Sequence, residues 1–254
     1  MADALAPVLA LTGGAGALAL LMAVMAAAGL VRGFTGFGTA LIFMPVAGGL
    51  IDPGIAVLVL VISGIAVWPV LLPRAWGQGA RGEIAVMGVA AIVLAPAGVA
   101  LLDIVSQDAL RWVIAAVAGV TLAALVSGWR YRQRVGWPGL AGVGAAAGLI
   151  GGATGIGGPP AILFYLAGPS GADRVRANTI LFLCMLDIVI LTNLAIQREI
   201  TGAQLALCAL LALPYCTTTL IGQGLFHPER ERAFRAVAYV LIALAVTAGL
   251  PIWG

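Results

Sequence analysis

Apolar residues fill the 254-residue chain in long blocks separated by short polar turns. A helix needs about 20 apolar residues to cross the hydrocarbon core of a bilayer. By that measure residues 54–72, 84–102, 109–128, 177–196, 203–222 and 233–251 each read as one continuous transmembrane helix. Two further apolar stretches, 7–50 and 140–168, are interrupted by clustered glycines, and the second also by Pro159-Pro160. Each of these is either one broken spanning helix or a re-entrant hairpin.

The two interruptions are copies of one pattern. GLVRGFTGFG begins at Gly29 and GLIGGATGIG at Gly148, an offset of 119 residues that also carries Gly33 to Gly152, Thr35 to Thr154, Gly36 to Gly155 and Gly38 to Gly157. A shared G-L-x-x-G-x-T-G-x-G near the start of each half implies a duplicated unit. The expected organisation is a first repeat over 1–128, a basic linker over 129–138 and a second repeat over 139–254.

Composition fixes the class. With 62% hydrophobic residues, 9% charged and a mean hydropathy of +1.12, this is an all-α integral membrane protein. Asp3 and the lack of a positive segment before the first apolar run argue for a retained membrane segment rather than a cleaved signal. The net charge of +3 comes from arginines in short loops, which speaks for topology and against nucleic-acid binding. Cys184, Cys208 and Cys216 lie in apolar runs without CxxC spacing, and His227 is alone in a loop, so neither a metal site nor a cofactor is expected. Trp68, Trp76, Trp112, Trp129, Trp137 and Trp253 fall mostly at span ends, as an interfacial belt would.

Short cytoplasmic loops collect arginine, which weighs the two readings of the interrupted stretches. If both cross the membrane once, the loop arginines divide six and six. If both turn back, Arg74, Arg81, Arg130, Arg132, Arg134, Arg174, Arg176, Arg230, Arg232 and Arg235 share one side against Arg111 and Arg198. The hairpin reading gives each repeat a hairpin and three spans, an odd number. The second copy is then upside down, as in many secondary transporters that bind substrate where broken helices meet at the midplane.

Non-helical backbone at membrane depth survives only buried in protein or facing a polar cavity. After each glycine turn a half-helix is expected to start, near Thr39 and near Pro160, with unpaired amides and the positive dipole end pointing at the membrane centre. Such an end attracts anions. The candidate substrate contacts are therefore Arg32, Gly33, Thr35, Gly36 and Gly38 in the first copy and Thr154, Gly155, Gly157 and Gly158 in the second, with the two threonines as hydroxyl donors. Against this stands the small-residue spacing of Gly29 with Gly33 and of Gly148 with Gly152, which also serves plain helix packing. Asp187, deep in LFLCMLDIVILTN, is the candidate for carrying a coupling proton. Ser63, Asn178 and Asn193 are weaker polar candidates.

The segments Gly33-Phe34-Thr35-Gly36-Phe37-Gly38 and Gly152-Ala153-Thr154-Gly155-Ile156-Gly157-Gly158-Pro159-Pro160, with the apolar runs that follow each, resemble the sulfite exporter TauE/SafE family over nearly the whole chain. The resemblance implies a multi-pass permease of the bacterial inner membrane for sulfite, an organosulfonate or another small sulfur-containing anion. Gradient-coupled export by alternating access is the implied mechanism, and a passive anion channel on the same scaffold is the alternative. It leaves homo-oligomerisation open. No G-x-x-x-x-G-K-[ST], H-E-x-x-H or G-x-S-x-G occurs, so nucleotide hydrolysis and the familiar hydrolases are not expected of this chain.

Overall fold

The computed structural model describes residues 2–128, 135–168, 171–225 and 231–252. Among them every regular element is a helix: α1 (Ala2–Thr12), α2 (Ala15–Thr35), α3 (Thr39–Ala47), α4 (Pro53–Ala66), α5 (Trp68–Gln78), α6 (Arg81–Ile104), α7 (Gln107–Ser127), α8 (Trp137–Thr154), α9 (Gly158–Ala167), α10 (Ala172–Gln197), α11 (Gly202–Leu225) and α12 (Glu231–Gly249). Five of these, α2, α6, α7, α10 and α11, are long and apolar enough to cross a membrane. The expected helix over 54–72 is not continuous. It breaks between α4 and α5 with a bend of 69°. The cause is Pro69, which cannot donate to the helix ladder and crowds the preceding turn. Ile188 holds the matching position in α10, which runs unbroken.

One end of the bundle is pinned by Arg198, just past α10. Its guanidinium bonds Asp103 near the end of α6 at 2.5 Å and Asp52 before α4 at 3.3 Å. Asp52 meanwhile caps α4, accepting from the amides of Gly54 and Ile55. Burial opposes the Arg198 charge, but the bond to Asp103 and the two carboxylates more than offset it and raise its pKa above the ordinary value. The starts of α4, α7 and α11 and the ends of α6 and α10 therefore lie together at this end.

That reference point settles where the interrupted stretches go. Gly29 packs on Tyr215, and Gly33 on Thr219 and Gln223, so α2 runs parallel to α11 and starts at the pinned end. From the short connection to α4, the return helix α3 ends there too, with Gly48 on Ile114 of α7. In the second half Gly144, Gly148 and Gly152 pack in turn on Met87, Ala91 and Ala95 of α6, so α8 runs parallel to α6 from the opposite end. Its return helix α9 ends at that same opposite end, where α10 begins. Both glycine-interrupted stretches turn back on themselves.

Some helix boundaries and the tightest helix contacts recur between the two halves. The 119-residue offset carries Thr39 to Gly158, Pro53 to Ala172 and Gln78 to Gln197, so α3, α4 with α5, and α9, α10 begin and end at matching places. The closest helix pairs, α2 with α11 and α8 with α6, are one pair under this exchange. Past α10 the register grows to 124, because Gly33 meets the Thr219 carbonyl and the Gln223 amide where Gly152 meets those of Ala95 and Val99. A Cβ added at Gly152 would lie 2.8 Å from both backbone atoms. Gly152→Val is accordingly expected to cost about 1–3 kcal/mol or more through forced helix separation, measured as a lower midpoint in thermal unfolding of detergent-purified protein.

Of the described loop arginines, Arg74, Arg81, Arg174 and Arg176 lie toward the end where α6 and α10 start, while Arg111 and Arg198 lie at the pinned end. Arg130, Arg132, Arg134, Arg230 and His227 fall outside the described residues, as do most of the linker over 129–138, Trp129 and Trp253. Trp76, Trp112 and Trp137 are more than half exposed near helix ends, whereas Trp68 sits inside at the α4–α5 break.

Candidate functional site

The tips of the two hairpins meet in the bundle. Gly155, in the second turn, approaches Met44 of α3 and Leu60 of α4. Beside this contact lies a cavity of about 50 Å³ walled by both turns and by the middles of α4 and α10. At about 10–15 Å³ for each water-sized occupant, that is room for roughly three to five small atoms' worth of guest.

Each turn is built the same way at first. α2 ends at Gly36 with φ 82° and α8 at Gly155 with φ 70°, a left-handed conformation that glycine adopts without strain. The amide of Gly36 returns to the Arg32 carbonyl and that of Gly155 to the Gly151 carbonyl, both at 2.8 Å. Thr35 and Thr154 finish the turn. The Thr154 hydroxyl donates to the Ile150 carbonyl at 2.7 Å and accepts from the Ile156 amide at 3.1 Å, and Thr35 bonds Val31 and Phe37 equivalently.

The turns then diverge. The half-helix expected near Thr39 starts there, with its first four amides on Gly38, Thr39, Ala40 and Leu41, all of which line the cavity. No side chain caps them. The second half-helix starts at Gly158, two residues before Pro160, and of its first four positions two are prolines without an amide hydrogen. The donor ends are thus unequal, four amides against two. Arg32 stands in the last turn of α2 where α8 has Gly151, and it is 5% exposed with its Nε lacking any partner. Gly38 has φ 100° where its counterpart Gly157 has −80°, so the backbone path differs at the place where the arginine replaces glycine.

Asp187 faces the same cavity from just past the middle of α10. Gly64 of α4 clears space for it, since a Cβ there would stand 2.7 Å from the carboxyl oxygen. The Trp68 indole at the α4–α5 break reaches toward this carboxyl, yet its Nε1 forms no hydrogen bond of good geometry. Among the described residues no ion pair joins Asp187 to Arg32. A buried cation and an acid therefore share one small space without neutralising each other by contact.

Of the residues singled out from sequence, Arg32, Gly38, Gly155, Gly157, Gly158 and Asp187 come together on this cavity. Gly33, Thr35, Gly36 and Thr154 do not line it. Gly33 is a packing glycine against α11, and its carbonyl accepts from Arg176 at 3.1 Å. Gly36 lies against the Arg176 side chain. The hydroxyl-donor role expected of Thr35 and Thr154 is corrected by their hydrogen bonds, which commit both protons to backbone carbonyls. Thr154→Val is therefore expected to lower stability by about 1 kcal/mol with sulfite affinity changed less than about twofold, readable by thermal unfolding and titration calorimetry on one preparation.

Asn178 also has a structural task, accepting from the Ala80 amide at 2.7 Å and tying the α5–α6 connection to α10. Asn193 donates to the Val189 carbonyl, and Ser63 is buried without a partner. Cys184 and Cys208 are buried thiols off the cavity wall, and Cys216 is partly buried. The described residues contain no cluster of three metal-ligating side chains. Sequence reasoning missed Gly64, Tyr215 and the Thr39 hydroxyl. The only signal for Tyr215 was a phenol following Pro214 in an apolar run, and nothing marked Gly64 as lying opposite the acid.

The model of the sulfite exporter TauE/SafE family matches residues 21–248. The chain belongs to this family. No curated protein and no solved structure matches it. The TauE/SafE match begins inside α2 and ends inside α12, so both hairpins and the cavity lie within it while α1 lies outside. Membership makes the chain a multi-pass membrane transporter, in agreement with the resemblance carried by its glycine motifs.

Proposed function

We propose that the chain is a secondary transporter for sulfite or a similarly small sulfur oxyanion, acting by alternating access in the bacterial inner membrane. The observation that carries this is one cavity holding a buried Arg32, its Nε without a partner, beside the four uncapped amides that open α3. A guanidinium and a helix N-terminus both favour an anion, and a dry surrounding strengthens each. The volume suits sulfite, with four heavy atoms, better than a long organosulfonate.

The halves act as inverted repeats. What supports this is that the first hairpin departs from one end of the bundle and the second from the other, while α6 and α11 run oppositely. Two such units can rock about the fixed cavity and open it to each side in turn. Asp187 is the protonatable partner. An anion at Arg32 repels a carboxylate across the cavity, so anion binding favours the protonated acid and, by reciprocity, the proton favours the anion.

Titration calorimetry of the purified protein tests the substrate class. Sulfite is expected to bind saturably and methanesulfonate to compete, whereas acetate does so at least about tenfold more weakly, since two oxygens satisfy fewer of the donors. Equal affinity for acetate and sulfite would contradict the assignment.

A further inference from the structure

Tyr215 of α11 and Thr39 of α3 meet on the cavity wall, oxygen to oxygen at 3.1 Å. They are 1% and 6% exposed, and among the described residues neither hydroxyl makes a second hydrogen bond. Two hydroxyls carry two protons, and the bond between them uses one. Whichever oxygen donates to the other, the accepting hydroxyl keeps a proton with no protein acceptor. A polar hydrogen left unbonded in an apolar wall is costly.

The duplication shows where the donors of the cavity collect. In the exchanged position Thr39 becomes Gly158, Tyr215 becomes Ala91 by the 124-residue register of α11 on α6, and Arg32 becomes Gly151. The first two amides after Gly158 become prolines. The hydrogen-bond donors of the cavity therefore stand mostly on the side of the first hairpin, and the second hairpin keeps only the amides of Gly157 and Gly158. The hydroxyl pair belongs to that one-sided set.

We propose that Tyr215 and Thr39 act as one shared neutral donor to the bound oxyanion, with the Tyr215 hydroxyl supplied by the second half. The assignment rests on the oxyanion reading given above. The ligand class is an anion with at least two oxygens spaced so that one accepts from Arg32 and the α3 amides while another accepts from the hydroxyl pair. A monatomic halide cannot reach both.

The test is a double-mutant cycle on sulfite binding by titration calorimetry of purified protein. Tyr215→Phe and Thr39→Val, each alone, leave one free hydroxyl and are expected to weaken binding less than about threefold. Together they remove the donor and are expected to weaken it about 10-fold to 100-fold. Tyr215→Phe with Thr39→Ser keeps a hydroxyl and is expected to return affinity to that of the single variants, which separates donor loss from misfolding. A double variant that binds like wild type overturns the assignment, as does Tyr215→Phe alone losing as much as the pair. Wild-type protein that binds no sulfite overturns the oxyanion reading and this assignment with it.

Discussion

Arg32→Gln is expected to weaken sulfite binding about 10-fold to 100-fold, the worth of hydrogen bonds from a charged donor to an anion, and to lower transport by a similar factor at limiting substrate. The same substitution is expected to leave thermal stability unchanged or higher. Arg32 is 5% exposed, its Nε has no partner, and no carboxylate pairs with it among the described residues. Removing it orphans no opposite charge, so the penalty seen when one member of a buried pair is deleted does not arise. A structural arginine behaves in the opposite way. Arg198, which holds Asp52 and Asp103 across three helix ends, supplies that comparison: Arg198→Gln is the control expected to lower the unfolding midpoint while leaving sulfite affinity near wild type. Affinity, read by calorimetry, and midpoint, read by thermal unfolding, should thus separate the two arginines cleanly. Loss of folding in Arg32→Gln, with binding intact in the fraction that folds, would remove Arg32 from the site.

Asp187→Asn is expected to abolish the response of flux to a pH gradient while keeping sulfite binding. One coupled proton gives up to about a tenfold change in driving force per pH unit, and the variant should show less than about a twofold change. Affinity at neutral pH should hold or rise, because the substitution removes a negative charge from the wall that holds the anion. The amide also fits the space beside Gly64 that the carboxyl occupies. Proteoliposome flux at several external pH values reads the first effect and calorimetry the second. Unchanged pH dependence would take Asp187 out of the coupling step.

Much of this arrangement was legible in the sequence because it rests on backbone rules. The clustered glycines forecast where α2 and α8 stop, and the amide-free prolines placed the start of α9 to within two residues. Arg32 and Asp187 stood out because charge in an apolar run is costly. What stayed hidden depended on tertiary contact. Gly33, Thr35 and Thr154 carry the same motif signature as Gly38 and Gly155, but only packing against α11 and the direction of two hydroxyls show that they build the turn rather than the wall. Pro69 broke a span that composition alone made continuous, since hydropathy averages over the residue that lacks the donor. Tyr215 reaches the site from α11, 176 residues along the chain from Thr39, and no local pattern reports a pairing at that distance.

On the proposed mechanism this cavity carries a sulfur oxyanion through the membrane together with a proton. Uptake of labelled sulfite into proteoliposomes, with and without an imposed proton gradient and in competition with methanesulfonate or acetate, tests it most directly. The expected result is saturable uptake that responds to the gradient, falls with methanesulfonate and is little affected by acetate. Uptake that neither saturates nor responds to the gradient would instead make the protein a passive anion channel, and uptake of acetate in preference to sulfite would contradict the substrate assignment itself.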